Sequence, residues 1–328
     1  MAEKIKIRTK TVLGKMLEVG YINEEQHKQA VTEVDNGLNF QNGESASVTV
    51  DVSYLTEAAI DQILDEILAQ GNEDMDRDAA EMLLYSGGLK IYTTQKTDIQ
   101  TVLEEEIVKD KYITSSKYKD KEKDENGEEK TIEVVQYSTP TMVIINQETG
   151  EVAAAATATG DKETRTAKTK LGYFNYPVKV EKQTGSSMKP LSVIVPGLST
   201  GTITGATVYI DQPTTWGNGP KPYTPKNYDG FEKRFFVNMR QAIEVSANVP
   251  HVKALSNIGT EASIDFCESI GMPRFEEEGL SLALGGLQNG VSPTQMATCY
   301  ASIARGGVYR TPIFYTKVTD SKVNVLDE

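Results

Sequence analysis

Residues 141–156 read Thr-Met-Val-Ile-Ile-Asn-Gln-Glu-Thr-Gly-Glu-Val-Ala-Ala-Ala-Ala, and they set the tightest limit on the fold. Two short apolar runs flank a polar turn at 147–150. That pattern predicts strand, tight turn, strand. Neither run alternates apolar with polar residues, so both strands are expected to be buried on both faces. The alanines of the second run leave room for a neighbour to pack close. From here the chain alternates strand pairs with helices. The predicted class is α+β, an antiparallel sheet flanked by helices.

The chain has 328 residues, which suggests two or three domains. It carries 47 acidic against 34 basic residues, a net charge of −13. Such a balance argues against a phosphate-binding surface, and no nucleic-acid partner is expected. No run of eighteen apolar residues occurs, and the first residues lack the apolar core of a signal peptide. Cys267 and Cys299 sit in apolar helical patterns and read as buried small hydrophobes. With His27 and His251 the only histidines, a zinc site is short of ligands, and no metal or cofactor is expected.

Helical spacing over 8–20 (Val12, Leu13, Met16, Leu17) is closed by Gly20. Asn23 and Gln26 make a capping box for a second helix to about Val34. Residues 35–47 read as a linker. A third helix over 55–70 puts Ile60, Ile63, Leu64, Ile67 and Leu68 on one face. A strand at 87–94, a helix at 98–108 and a charged stretch at 115–130 follow. Asn126-Gly127 in that stretch favours a type I′ hairpin. The domains read as a helical region 1–86, a small subdomain 87–138 with the charged hairpin, and a main domain 139–328.

The chemistry centres on Ser186-x-x-Lys189, followed by Pro190 and the apolar run Leu191, Val193, Ile194, Val195. A helix beginning near Ser186 would put residues i and i+3 on one face. A serine needs a base beside it to act as a nucleophile. A lysine serves only if burial or a nearby cation lowers its pKa. Sixty residues on, Ser246-Ala-Asn248 falls between two helical patterns, where a hydroxyl can shuttle a proton and an amide can hold a carbonyl. Two further segments accompany them. One is the Pro- and Gly-bounded loop 223–230. The other is 282–297, where Ser292, Pro293 and Gln295 predict a capped helix that stops at Gly306-Gly307.

In order, Gly-Leu-Lys-Ile-Tyr-Thr-Thr (88–94), Thr-Gly-Glu-Val (149–152), Thr-Gly-Ser-Ser-Met-Lys-Pro (184–190), Pro-Lys-Asn-Tyr-Asp-Gly (225–230), Ser-Ala-Asn-Val-Pro (246–250) and Ala-Leu-Gly-Gly…Gly-Val-Ser-Pro (283–293) resemble the transpeptidase part of class A, bifunctional penicillin-binding proteins. The resemblance implies the fold of that domain and of serine β-lactamases, with 1–86 as the helical region left from the junction to a glycosyltransferase domain. It implies Ser186 as nucleophile toward the penultimate D-Ala carbonyl of a peptidoglycan stem, and Lys189 as acylation base. Ser246 would relay a proton to the leaving D-Ala, and Asn248 would bind substrate backbone. The implied partners are a D-Ala-D-Ala donor, an amine acceptor and β-lactam antibiotics. The implied place is the extracytoplasmic face of a bacterial membrane, reached through an N-terminal anchor that this sequence lacks.

No Lys-Thr-Gly occurs anywhere in the chain, although the family carries that motif on a strand beside the cleft. The expectation is therefore a domain incomplete at its C-terminus, less active than an extended chain. A non-catalytic penicillin-binding scaffold or antibiotic-sensing module is the alternative. A serine β-lactamase fits worse, because Glu261, Glu268 and Glu276 to Glu278 lack a recognisable E-x-x-x-N context.

Overall fold

A computed structural model describes residues 2–37, 52–70, 76–123, 129–158, 175–217, 222–230, 235–276, 279–320 and 325–327. It divides into two compact units, Met1–Asp51 and Val52–Glu328. The helical region read over 1–86 is thus split between them.

The first unit holds α1 (Ala2–Glu18) and α2 (Glu24–Asn36). Gly20 at φ 77° ends α1, with its N–H donating to Leu17 O and that of Tyr21 to Met16 O. These two hydrogen bonds close the helix through a positive-φ position that residues with a Cβ adopt less cheaply. Asn23 and Gln26 form the capping box read from the sequence.

The second unit opens with α3 (Tyr54–Gln70) and α4 (Arg77–Ser86). α3 buries Leu55, Ala58, Ala59, Ile63 and Leu64, with Ile60, Ile67 and Leu68 packed at the margin. The sequence reading missed α4, which Asp76 caps by accepting from Ala79 N at 2.8 Å. β1 (Lys90–Thr93), α5 (Thr97–Ile107), the hairpin β2 (Ser115–Lys123) with β3 (Glu129–Tyr137), β4 (Thr141–Ile145) and β5 (Val152–Thr157) follow. The Asn126-Gly127 turn lies outside the described residues.

Next come a short α6 (Tyr176–Lys179), the irregular segment holding Ser186, and α7 (Val195–Ser199). β6 (Val208–Ile210) and β7 (Phe236–Asn238) then pair ahead of α8 (Met239–Glu244), α9 (Asn248–Ile258), α10 (Thr260–Ser269) and α11 (Pro293–Ala304). Last, β8 (Tyr315–Thr319) joins β1 on one edge and β9 (Val325–Asp327) on the other. Every strand pair named here is antiparallel, so the α+β reading holds.

β5 is buried at all six positions. Its small side chains admit helices on both faces: Val152 and Ala155 join the cluster of α3, α4 and β8, while Ala154 and Ala156 meet Leu103 and Ile107 of α5. β4 departs from the expectation, because Met142 remains half exposed. A second apolar core, built on Met188, Leu191, Val252, Leu255, Leu282 and their neighbours, lies among the helices around Ser186.

β4 occupies one edge of β5. On the other edge, Thr94 Oγ1 donates to Val152 O at 2.7 Å and Lys96 N to Ala153 O at 2.9 Å. Farther along, the amide of buried Gln100 accepts from Ala155 N at 2.9 Å and donates to Ala155 O at 3.0 Å. A side chain thus does the work of a strand. Gln100→Ala would leave a buried N–H and C=O without partners, at about 1–3 kcal/mol each. Urea unfolding should show a loss of at least about 2 kcal/mol. A loss under about 0.5 kcal/mol would contradict this account of the β5 edge.

Candidate active site

The Ser186 segment is not the regular helix expected. Gly185, at φ 57°, turns the chain into a 3₁₀ turn over Gly185–Met188, and a π-helical stretch covers Pro190–Ile194 before α7. Proline explains the irregularity. Pro196 has no N–H for Ser192 O and its ring crowds that carbonyl. Ser263 Oγ donates to Ser192 O instead, at 2.6 Å. Val195 N reaches back five residues to Pro190 O. Ser186 and Ser187 stay exposed while Met188 and Lys189 are fully buried. In a 3₁₀ turn residues i and i+3 eclipse, so Ser186 and Lys189 still share a side.

Lys189 Nζ donates to Ser246 O at 2.6 Å, to Ser246 Oγ at 2.9 Å and to Asn248 Oδ1 at 2.7 Å. Ser246 lies in the corner between α8 and α9. It is the one non-glycine residue at positive φ among those described, at 54°. That conformation costs of order 1 kcal/mol. It lets both oxygens of one residue face the same amine. Ala247 N, bonded to Ala242 O at 2.9 Å, and His251 Nδ1, 2.6 Å from Ala247 O, fix the corner from either side.

The structure thus gathers Lys189, Ser246 and Asn248. The Ser186 hydroxyl forms no hydrogen bond among the described residues, so it is not tied to Lys189 as the sequence reading expected. An exposed hydroxyl one turn from the cluster is free to meet a ligand.

Burial pushes the Lys189 amine down from 10.5 to about 8, since dry surroundings disfavour its charge. Ser246 O and Asn248 Oδ1 only accept. Ser246 Oγ is the one partner that can reverse roles, accepting from the ammonium and donating to the neutral amine. Of the three contacts, the one between Lys189 and Ser246 Oγ is thus the one along which a proton can run either way. Burial also takes His251 down to about 4, so it stays neutral beside Lys189. Cys267 and Cys299 are pushed up to about 12 by burial and remain thiols, as their apolar patterns indicated.

The segment 282–293 grips the Ser186 turn. Val291 and Lys182 exchange backbone hydrogen bonds at 3.0 and 3.2 Å, and Gln183 Nε2 donates to Leu287 O at 3.2 Å. Gly285, at φ 71°, lies so close that a Cβ there would overlap Gly185 O. From α11, Tyr300 Oη donates to Ser187 O at 2.8 Å. Sequence reasoning gave Tyr300 and His251 no part in the site; single polar residues on apolar helices carry no local signal of what they meet. The loop 223–230 carries no role legible in its own residues. Lys226 O accepts from Asn248 Nδ2 at 2.6 Å, and Asn227 Oδ1 accepts from Asn248 N at 2.7 Å.

A buried lysine bound to a serine and an asparagine thus lies one turn from an exposed serine. The model of the penicillin binding protein transpeptidase domain matches residues 140–327, and the chain belongs to that family. It is 32% identical over 334 residues to penicillin-binding protein 1A of Clostridium botulinum (strain Langeland), covering 98% of this chain and 37% of the relative. To penicillin-binding protein 1F of Bacillus subtilis (strain 168) it is 31% identical over 319 residues, covering 97% and 38%. The chain thus spans less than two-fifths of the length of these relatives.

Among solved structures, PonA1 of Mycobacterium tuberculosis in complex with penicillin V is similar with a TM-score of 0.60 at 21% identity, covering 84% of this chain and 64% of that one. Penicillin-binding protein 1A of Haemophilus influenzae gives 0.56 at 17%, covering 100% and 56%. These likenesses carry the fold. No helix among the described residues is long and apolar enough to cross a membrane.

Gly285→Ala would impose positive φ on a side chain and drive it into the Gly185 backbone. The variant should lose more than about 2 kcal/mol in denaturant unfolding. Wild-type stability would mean that the two glycine backbones are not in contact.

Proposed function

We propose that this chain carries the acyl-transfer chemistry of a D,D-transpeptidase in peptidoglycan cross-linking, with Ser186 as nucleophile. The observation that carries the reading is the fully buried Lys189, bound to Ser246 and Asn248 one turn from an exposed serine. Family membership over 140–327 supports it. The division into a helical region 1–86, a subdomain 87–138 and a transpeptidase domain 139–328 belongs to the same proposal. So does a whole protein acting at the extracytoplasmic face of a bacterial membrane.

In this mechanism neutral Lys189 takes the Ser186 proton as Oγ attacks the penultimate D-Ala carbonyl. The tetrahedral adduct collapses as the C–N bond breaks. Ser246 Oγ gives its proton to the departing D-Ala amine and regains one from Lys189. An acyl ester remains on Ser186. An amine of a second stem peptide attacks that ester, its N–C bond forms, and Ser186 Oγ leaves with a proton returned through the same groups. Asn248 Nδ2 gives one hydrogen to Lys226 O and keeps a second for substrate backbone. A β-lactam enters the first half of the cycle and stays as the acyl-serine.

Labelled penicillin should attach at Ser186, located by peptide mapping, and Ser186→Ala should abolish labelling while the protein still folds. An adduct on Ser187 or Ser246 would refute the assignment. Transfer from an acyl-D-Ala-D-Ala mimic to a D-amino acid separates an enzyme from its alternative. Labelling without transfer would favour a penicillin-binding scaffold or antibiotic sensor.

The acylation rate should rise with pH and level off above about 8, because the base works only when deprotonated and burial has brought its pKa there. A rate that climbs steadily to pH 10 would mean that Lys189 keeps the pKa of an exposed lysine.

A further inference from the structure

α9 begins at the site, and its first turn has an unusual hydrogen-bond account. The N-cap residue is Ala247, whose side chain caps nothing. Asn248 and Val249 present the first two unsatisfied N–H groups, and Pro250 has none. Both donate to Asn227 Oδ1, at 2.7 and 3.4 Å, from a loop about twenty residues upstream in sequence. The cap that sequence normally supplies next door comes from elsewhere in the fold.

Asn227 is nearly buried and Asp211, after β6, is fully buried. Asn227 Nδ2 donates to Asp211 Oδ1 at 2.7 Å. A carboxylate only accepts, so Asp211 dictates which end of the Asn227 amide faces α9. The neighbouring Lys226 O holds Asn248 Nδ2, leaving Asn248 Oδ1 aimed at Lys189.

We infer that Asp211 and Asn227 are a positioning pair: Asn227 caps α9 from outside, Asp211 sets the orientation of its amide, and together they hold Asn248 against Lys189. The inference rests on the reading of Ser186, Lys189 and Asn248 as the reactive site. It gives the Pro225–Gly230 segment a task that its residues alone do not announce.

The test uses the full chain and two readouts. Hydrogen exchange reports the cap directly at the Asn248 and Val249 amides, and labelled penicillin reports the acylation rate constant separately from the binding constant. Asn227→Asp sets a carboxylate against a carboxylate. It should speed exchange at Asn248 and Val249 by about tenfold while the Leu255 amide stays protected, and slow acylation by about tenfold with little change in binding. The exchange variant D211N/N227D rebuilds one amide–carboxylate pair with the charge at the helix N-terminus. It should recover both readouts to within about threefold of the unaltered chain.

Unchanged protection in Asn227→Ala, which leaves both amides without this acceptor, would overturn the cap, and unchanged protection in Asn227→Asp would overturn the pairing with Asp211. Lost protection with unaltered acylation would overturn the positioning role and leave Ser186 in place. Failure of the double variant to recover either readout would overturn the pairing with Asp211. If the unaltered chain forms no acyl-serine, the functional reading falls and the positioning role with it, while exchange still decides the cap.

Discussion

A lysine amine with no access to water is the interaction on which the rest of this site depends. Lys189 is fully buried, and burying an unpaired ammonium is among the costliest arrangements available to a fold. Three oxygens at 2.6–2.9 Å offset that cost. They come from a corner that needs a serine at positive φ and an asparagine at a helix start. The surrounding helices can then be understood as what makes this corner tolerable. Met188 and Leu191 pack on either side of the lysine in sequence, and α8, α9 and α10 supply the apolar wall. A group dry enough to lose its proton near neutral pH, yet hydrogen-bonded enough to stay in place, is suited to move protons for a neighbouring hydroxyl.

The irregular backbone around Ser186 serves the same end. A continuous α-helix would satisfy its carbonyls internally. Here Pro196 breaks the ladder, and Ser263 and the π-helical bond of Val195 take up the freed groups. The turn before Lys189 is held by the close approach of Gly285 to Gly185 and by the backbone pair of Lys182 with Val291 rather than by helix propensity. The exposed serine therefore sits on a turn fixed from outside.

How much of this was legible depended on distance along the chain. Capping boxes at Asn23 and Ser292 and the stop at Gly20 were readable because donor and acceptor lie within a few residues. The strand pair 141–156 was readable from its apolar runs, and Ser186, Lys189, Ser246 and Asn248 stood out through the order of several motifs that together resemble a known family. The 3₁₀-to-π path was not, since only the partner Ser263, 71 residues from the Ser192 carbonyl, makes it affordable. Nor was the strand-like role of Gln100, whose partner Ala155 lies 55 residues away. α4 escaped because Met82 and Leu83 face solvent and blur its apolar stripe. The set of partners of Lys189 was not legible either: its amine gives its three hydrogens to Ser246 O, Ser246 Oγ and Asn248 Oδ1, 57 and 59 residues away, and none to Ser186.

The central claim is that the fold makes Lys189 a base by drying it. Isotope-labelled lysine side chains, titrated by NMR through the Cε and Nζ shifts, test that without any substrate or inhibitor. The account predicts one lysine titrating near 8, absent from the spectrum of Lys189→Met. A Lys189 signal that stays unchanged through pH 8 and titrates only near the ordinary lysine value of 10.5 would contradict it.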